Sequence, residues 1–375
     1  MIALKKVCLV SFLALSLGAC GKPSGPTSSA QQDDTFTVTF HNNIPGGEDV
    51  FKTETVEKGE KVTRPATDPV REGYVFRNWY KDAGEGKLYD FDTGVYKNTN
   101  LYAGWLEIFN IEFDLNYSGA PKMDTVQVIE GQKLAEPATD PTRDGFAFVG
   151  WKSDKNSPQY FDFGAKVYEA VTLYAEWGPV GSKRIKTYVF EAEYCPCITD
   201  GVGMNGATYS GASQGKNLIQ KDTEEGDADA SNGYWVHHLY QKDNTLVFEI
   251  ESDVAVDNAV IYWRLSAEYV ETVLINNTLY KFKLNDVEVL YDPITFIDVP
   301  EQGTGFKKFA DYLVGTNLNL KAGTNKIELI TDNVEHLYGT ANSTAPMVDC
   351  IKIFCSSQLT WPGQKTSNIE IGDDE

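Results

Sequence analysis

Wherever the apolar and polar positions of this chain are regular, they alternate with a period of two. TFTVTFHN (residues 35–42) and FNIEFDLN (109–116) carry β-branched or aromatic residues at alternate places, the pattern of a strand with one buried face. Each is followed by a run that ends at a glycine turn, VEKGEK (56–61) and VIEGQK (128–133), and later by LYAGW (101–105) and LYAEW (173–177). Further strands are predicted at YVFEAEY (188–194), GYWVHHL (233–239), NTLVFEIES (244–252), NAVIYWRLS (258–266), TLYKFKLNDVEV (278–289), TNLNL (316–320), TNKIELIT (324–331) and VDCIKIF (348–354). Turns rich in Gly, Pro, Asn and Asp separate them, and no segment has a helical period. The predicted fold class is all-β dominated.

The first two sets of strands are copies of each other. PATDPVREGYVFRNWY (65–80) returns as PATDPTRDGFAFVGWK (137–152), and Pro65 to Pro137, Gly73 to Gly145, Trp79 to Trp151 and Trp105 to Trp177 are each 72 residues apart. Two repeats follow, 36–106 and 107–178. Pro69 and Pro141 fix the entry to a turn, while Gly73 and Gly145 are expected to take backbone angles that other residues resist. Phe76 with Trp79, and Phe148 with Trp151, supply the large apolar surfaces that a domain of about 70 residues needs inside. The spacing P-x-x-x-P, G-Y/F-x-F-x-x-W and L-Y-A-x-W resembles the Listeria-Bacteroides repeat, the internalin B-type repeat. That resemblance implies a small β-grasp-like domain of bacterial surface proteins, used as a spacer or in host or matrix contact, without catalysis.

The N-terminus, MIALKKVCLVSFLALSLGAC, has Lys5 and Lys6 ahead of an apolar stretch from Val7 to Leu17. This is an export signal over residues 1–19, too short to be a membrane span. Leu17, Gly18, Ala19 and Cys20 resemble the lipobox of bacterial lipoproteins, which implies lipidation of Cys20 and a chain anchored to the membrane of a bacterial cell envelope, outside the cytoplasm. A plain secretory signal is the alternative. Residues 20–35 are small and polar and read as a flexible tether. The net charge of −21 disfavours nucleic acid and anionic lipid surfaces as partners.

Beyond the signal and Cys20, the cysteines are Cys195, Cys197, Cys350 and Cys355. Outside the cytoplasm they suggest disulfides, with three pairings open. A four-thiolate zinc site is the rival, although Cys-Pro-Cys lacks the usual two to four intervening residues.

Residues 186–356 have a different texture, and many short strands without helices argue for a β-sandwich. EAE in the first strand, a loop ending in Ser213, Gln214, Gly215 and Lys216, then NDVEV, LKAGTNKIELI and VDCIKIF are similar to carbohydrate-binding modules of families 35 and 6. TEEGDADASNG (223–233) and residues 290–312 depart from a minimal module. The resemblance implies a jelly-roll sandwich that binds sugars and holds a structural Ca²⁺. Glu191 and Glu193, two apart on one strand, would share a face, and Asp349 would join them if the first and last strands are neighbours, as the resemblance implies. Candidate sugar contacts are Tyr209, Trp235, Tyr269, Tyr338 and Asn342, whereas Trp263 reads as core.

Chemistry has few starting points. His41, His237, His238 and His336 are the only histidines, adjacent His237 and His238 would face opposite sides of a strand, and HExxH and phosphate-loop motifs are missing. The expected function is non-enzymatic: a surface lipoprotein binding a polysaccharide or host glycan through its C-terminal sandwich, with the repeats as a spacer stalk. The alternatives are a protein-binding adhesin acting through the repeats and a glycan-cleaving enzyme. The polar acidic tail, 357–375, has no role in this reading beyond solubility.

Overall fold

The computed structural model describes residues 34–47, 49–195, 219–221, 230–236, 239, 245–267, 272–297, 309–332 and 346–362. Their strands, in chain order, are Thr35–His41 (β1), Val50–Glu57 (β2), Tyr74–Tyr80 (β3), Thr99–Asp114 (β4), Val126–Ile129 (β5), Phe146–Lys152 (β6), Thr172–Pro179 (β7), Lys186–Glu191 (β8), Ile219–Lys221 (β9), Tyr234–Val236 (β10), Thr245–Ser252 (β11), Val256–Ala267 (β12), Thr272–Ile275 (β13), Tyr280–Leu284 (β14), Val287–Val289 (β15), Ile294–Ile297 (β16), Ala310–Leu320 (β17), Gly323–Thr331 (β18), Pro346–Cys355 (β19) and Leu359–Thr360 (β20). The fold is all-β. Among the described residues, no helix is long and apolar enough to cross a membrane.

These residues form two compact units, one of 34–69 and 76–104, the other of 70–75 and 105 onward. In the first, β1 pairs antiparallel with β2 and parallel with the start of β4. Val38, Phe40, Trp79 and Leu101 are fully buried, and the Phe40 and Trp79 rings meet edge to face at 4.8 Å.

The second unit begins with the same plan. The later part of β4 pairs with β5 and β7, and β6 with β7; Phe113 meets Trp151 at 4.9 Å. Both tryptophans of the repeated motif are therefore core. LYAGW and FNIEFDLN, read above as separate strands, run together as β4, because nothing between Trp105 and Phe109 can turn the chain. Gly73 and Gly145 take φ of 78° and 77°, the left-handed angles that their turns require, and each turn closes with an N–H to O=C bond of 3.1 Å, Tyr74 to Arg71 and Phe146 to Arg143.

Among the described residues, the rest of the second unit is two larger sheets around one core, with a separate two-stranded sheet of β13 and β16. One has the order β17-β12-β19-β10-β9 with β8 on β19, and the other β15-β14-β18-β11-β20. Phe190, Ile261, Trp263, Ile351 and Ile353 from the first pack against Phe248, Ile250, Phe282 and Ile327 from the second. All ten residues of β19 are buried. Its inner face looks into this core, and on its outer face Tyr160 of the second repeat and Ile185 of the segment after it pack on Val260, Tyr262 and Phe354. On that outer face the Lys352 ammonium sits 3.0 Å from Asp162 of the repeat and 2.9 Å from Asp311 of β17. The second repeat is thus packed onto the sandwich, whereas the sequence pattern suggested part of a free stalk.

Candidate functional site

The site lies where the two ends of the sandwich sequence meet. β8 pairs antiparallel with β19, and Glu191 stands opposite Cys350, so the first and last strands are neighbours. On its other side β19 pairs with β12, and there the register jumps: Arg264 faces Cys350 and Leu265 faces Val348. Asp349 is the extra residue of a β-bulge, a device that redirects side chains. Val348, Ile351, Ile353 and Cys355 stay in the core, while Asp349 and Cys350 join Glu191 outside it, their ligand atoms all within 4.8 Å of one another.

Glu193 arrives by a different route from the one expected. β8 stops at Glu191 and Ala192–Tyr194 form a single 3-10 turn, so strand alternation does not govern its direction. Its side chain is 1% exposed. Oε1 accepts from Asn232 Nδ2 at 2.9 Å, and among the described residues the buried Oε2 has no hydrogen-bond partner. A tight turn at Ala230–Gly233, closed by Gly233 N–H to Ala230 O at 3.2 Å with Gly233 at φ 78°, brings in Ser231 and Asn232. The Ser231 N–H donates to the Asp349 carboxylate at 3.0 Å, and its Oγ lies 2.6 Å from Glu191 Oε2 and 2.9 Å from Asp349 Oδ1.

Among the described residues, the charges around this point do not balance. Arg264 pairs with Asp349 at 2.8 Å and with Asp311 at 3.3 Å, and Lys352 with Asp311 and Asp162. Five carboxylates, counting Glu191 and Glu193, face these two cations. Burial, reinforced by the charge of Asp349, pushes the Glu191 carboxyl up to about 8. Burial pushes Glu193 to about 7, against the bond from Asn232, and Asp349 to about 6, against Arg264 and Ser231. Burial alone would depress the Lys352 ammonium, but the Asp311 and Asp162 carboxylates outweigh it and hold its pKa above the usual lysine range. Buried carboxylates in excess, with one oxygen orphaned, fit a divalent cation. Three carboxylates and a hydroxyl are the hard oxygen donors that Ca²⁺ takes.

The structure brings Glu191 and Asp349 together with Cys350, and Glu193 lies near enough to feel the charge of Asp349. It does not support Trp235 as a sugar contact: the ring is 2% exposed and packs with Phe309 and Met347, its centroid 5.8 Å from that of Phe309. Tyr209, Tyr269, Tyr338 and Asn342 lie outside the described residues, as do Cys20, Cys197, His237, His238 and His336. Cys350 and Cys355 are buried free thiols, so neither closes an expected disulfide. They face opposite sides of β19, which also separates them as ligands of one four-thiolate zinc site. Cys195 donates from Sγ to Val247 O at 3.2 Å. Sequence reasoning missed Ser231, Asn232, Arg264, Asp311, Lys352 and Asp162; only the Ser-Asn-Gly run before GYWV signals a turn aimed at the site.

A separate cleft of about 770 Å³ opens between β15 and β17, lined by Leu284, Val289, Leu318 and Leu320 with Asn285 and Asn317 at its rim. No aromatic ring lines it among the described residues, so it lacks the flat face on which a pyranose stacks.

Residues 36–104 and 109–176 each match the Listeria-Bacteroides repeat domain. A protein of Evansella cellulosilytica described as a membrane protein is 35% identical over 147 residues, 38% of this chain and 21% of that protein. Internalin H of Listeria monocytogenes is 33% identical over 160 residues, 41% of this chain and 27% of its own length. The chain thus spans only about a quarter or less of these relatives. Among solved structures, a family 35 carbohydrate-binding module from Clostridium thermocellum aligns with 45% of this chain and 97% of its own, at 14% identity and a TM-score of 0.26, a likeness too slight to carry function.

Proposed function

We propose that this chain is a bacterial cell-surface lipoprotein that binds carbohydrate through the loops of its C-terminal sandwich, a jelly roll tied together by a calcium ion. The observation that carries the reading is the meeting of Glu191, Glu193 and Asp349 at the junction of the first and last sandwich strands, with an excess of buried negative charge. This is the donor set that the sequence resemblance to carbohydrate-binding modules calls for. A calcium ion there would neutralise the carboxylates and fix the two ends of the domain from which residues 196–218 and 333–345 depart. Those segments carry Tyr209, Tyr338 and Asn342, the remaining candidates for sugar contact together with Tyr269. Cys20 would carry the lipid, residues 20–35 the tether, and the first repeat the reach.

The test is a glycan array probed with the full chain in calcium and again in chelator. Signal on a related set of sugars that fades in chelator is the expected result. A blank array from folded protein would sink the carbohydrate reading. The likeness of the repeats to part of Internalin H favours a second reading, a protein-binding adhesin. Under that reading the chain would hold host material that no free glycan displaces.

A further inference from the structure

We propose that Cys350 makes the carboxylate site one for a thiophilic divalent cation, of the zinc and cadmium class, in competition with calcium. The inference rests on the cation reading above and names the ion that this chain's own residues select. Two cysteines of one strand differ in a telling way. Cys355 points into the apolar core, the usual place for a buried structural thiol. Cys350 is equally buried, yet the groups around it are charged: Asp349, Glu191, Lys352 and Asp311.

Its position follows from two features of the backbone. Pairing opposite Glu191 puts the thiol and that carboxylate on the same side of the sheet. The bulge at Asp349 then adds a second carboxylate on that side, which strict alternation would have sent to the other face. The resulting donors, Glu191 oxygen, Asp349 oxygen and Cys350 sulfur, lie within 4.8 Å of one another, a span that side-chain rotation can close onto an ion bound at ~2.0–2.3 Å. Beside this cluster the Oε2 of Glu193, in a side chain 1% exposed, has no hydrogen-bond partner among the described residues and is close enough to Asp349 to feel its charge, an independent sign that a positive ligand belongs here.

Calcium uses oxygen alone, so Cys350 adds nothing to its binding. Zinc and cadmium take sulfur and oxygen together. On binding, the Cys350 thiol gives its proton to solvent and the sulfur bonds the metal as thiolate, with no change in oxidation state.

The experiment titrates the full chain with Cd²⁺ while recording the ultraviolet thiolate-to-cadmium absorption, in the native protein, in Cys350→Ser and in the control Cys355→Ala. The proposal expects a saturable band in the native protein and the control, its loss in Cys350→Ser, and its displacement by excess Ca²⁺. Zinc affinity should fall roughly tenfold or more in Cys350→Ser, and calcium affinity by less than about twofold. Cadmium NMR of the native chain reads sulfur ligation without any variant, should Cys350→Ser fail to fold. Calcium binding without a Cys350-dependent band or a sulfur-ligated cadmium signal overturns the inference and leaves the calcium reading standing. Failure of every ion to bind the folded chain removes both.

Discussion

Asp90 and Asp162 stand 72 residues apart at the same place in the two repeats, and they hold the same turn. Asp90 Oδ1 accepts from the N–H of Asp92 at 2.9 Å, and Asp162 Oδ1 from that of Gly164 at 2.8 Å. What differs is the second oxygen. In the first repeat Asp90 Oδ2 takes the Thr93 hydroxyl at 3.1 Å. The matching residue of the second repeat is Ala165, which has no hydroxyl, and Asp162 Oδ2 instead meets the buried Lys352 ammonium. Two residues before each aspartate the copies diverge again: Leu88 is 52% exposed, whereas Tyr160 packs on Phe354. Duplication preserved the backbone of the turn, and two small changes of side chain turned one copy into a docking surface.

The contrast between the units extends to pH, where the largest effect is expected. In the first unit the shifted carboxyls are lowered: Glu54, against its own partial burial, by its bonds from Lys52 and Thr63, and Asp92 by its bond from Lys61. Their contribution is present above the unfolded carboxyl range and is lost as pH falls. In the sandwich, Glu191, Glu193 and Asp349 are raised to about 8, 7 and 6. The native state there binds more protons than the unfolded chain, so stability falls as pH climbs from about 4.5 to 8. A carboxyl pKa raised tenfold in proton affinity corresponds to about 1.4 kcal/mol, and three groups move together. Thermal unfolding in chelator, followed by hydrogen exchange of β19 amides, should weaken over that window, and a bound divalent cation should abolish the trend. A β19 that grows more stable toward pH 8 without metal would contradict the charge imbalance.

Next in size is Lys352→Ala. It leaves Asp162 and Asp311, 10% and 16% exposed, without the ammonium they share, and removing one partner of a buried ion pair typically costs about 3–5 kcal/mol. Urea denaturation in the presence of calcium isolates this loss from that of the metal site. A cost below about 1 kcal/mol would mean that water reaches the seam and the repeat is held only loosely.

Much of this is legible in the residues. Period-two alternation locates most of the strands, and the 72-residue spacing locates both repeats, because a strand with one buried face and a copied core write themselves directly into sequence. Glu191, Glu193 and Asp349 are found by resemblance, and the pairing of β8 with β19 accounts for the meeting of Glu191 and Asp349. The bulge is not legible: alternation sends Asp349 and Cys350 to opposite faces, and one unpaired residue in a ladder leaves no pattern in its own strand. Nor is the docking of the second repeat. Lys352 in the middle of VDCIKIF looks like the solvent side of an edge strand, and its partner Asp162 lies 190 residues earlier, at a position whose twin, Asp90, hydrogen-bonds Asp92 and Thr93 of its own turn. For the same reason Trp235 reads in sequence as part of a sugar face, when its ring fills a pocket beside Phe309.

The smallest effect separates the two copies most cleanly, because the same substitution is made at the same place in each. Asparagine keeps an oxygen for the turn N–H, so Asp90→Asn and Asp162→Asn both preserve the local backbone. Asp90 is an exposed turn residue, and its change should cost less than about 0.5 kcal/mol. Asp162→Asn removes one of two negative charges from a nearly buried ammonium and turns a charge-assisted bond into a neutral one, at a cost of about 2 kcal/mol. Because Lys352 retains Asp311, the loss should remain below that of Lys352→Ala. Hydrogen exchange then localises it: β19 and β17 amides should lose protection in Asp162→Asn and keep it in Asp90→Asn. Equal costs in the two copies would mean that Asp162 does no more than hold its turn, and the second repeat would return to the role of a spacer.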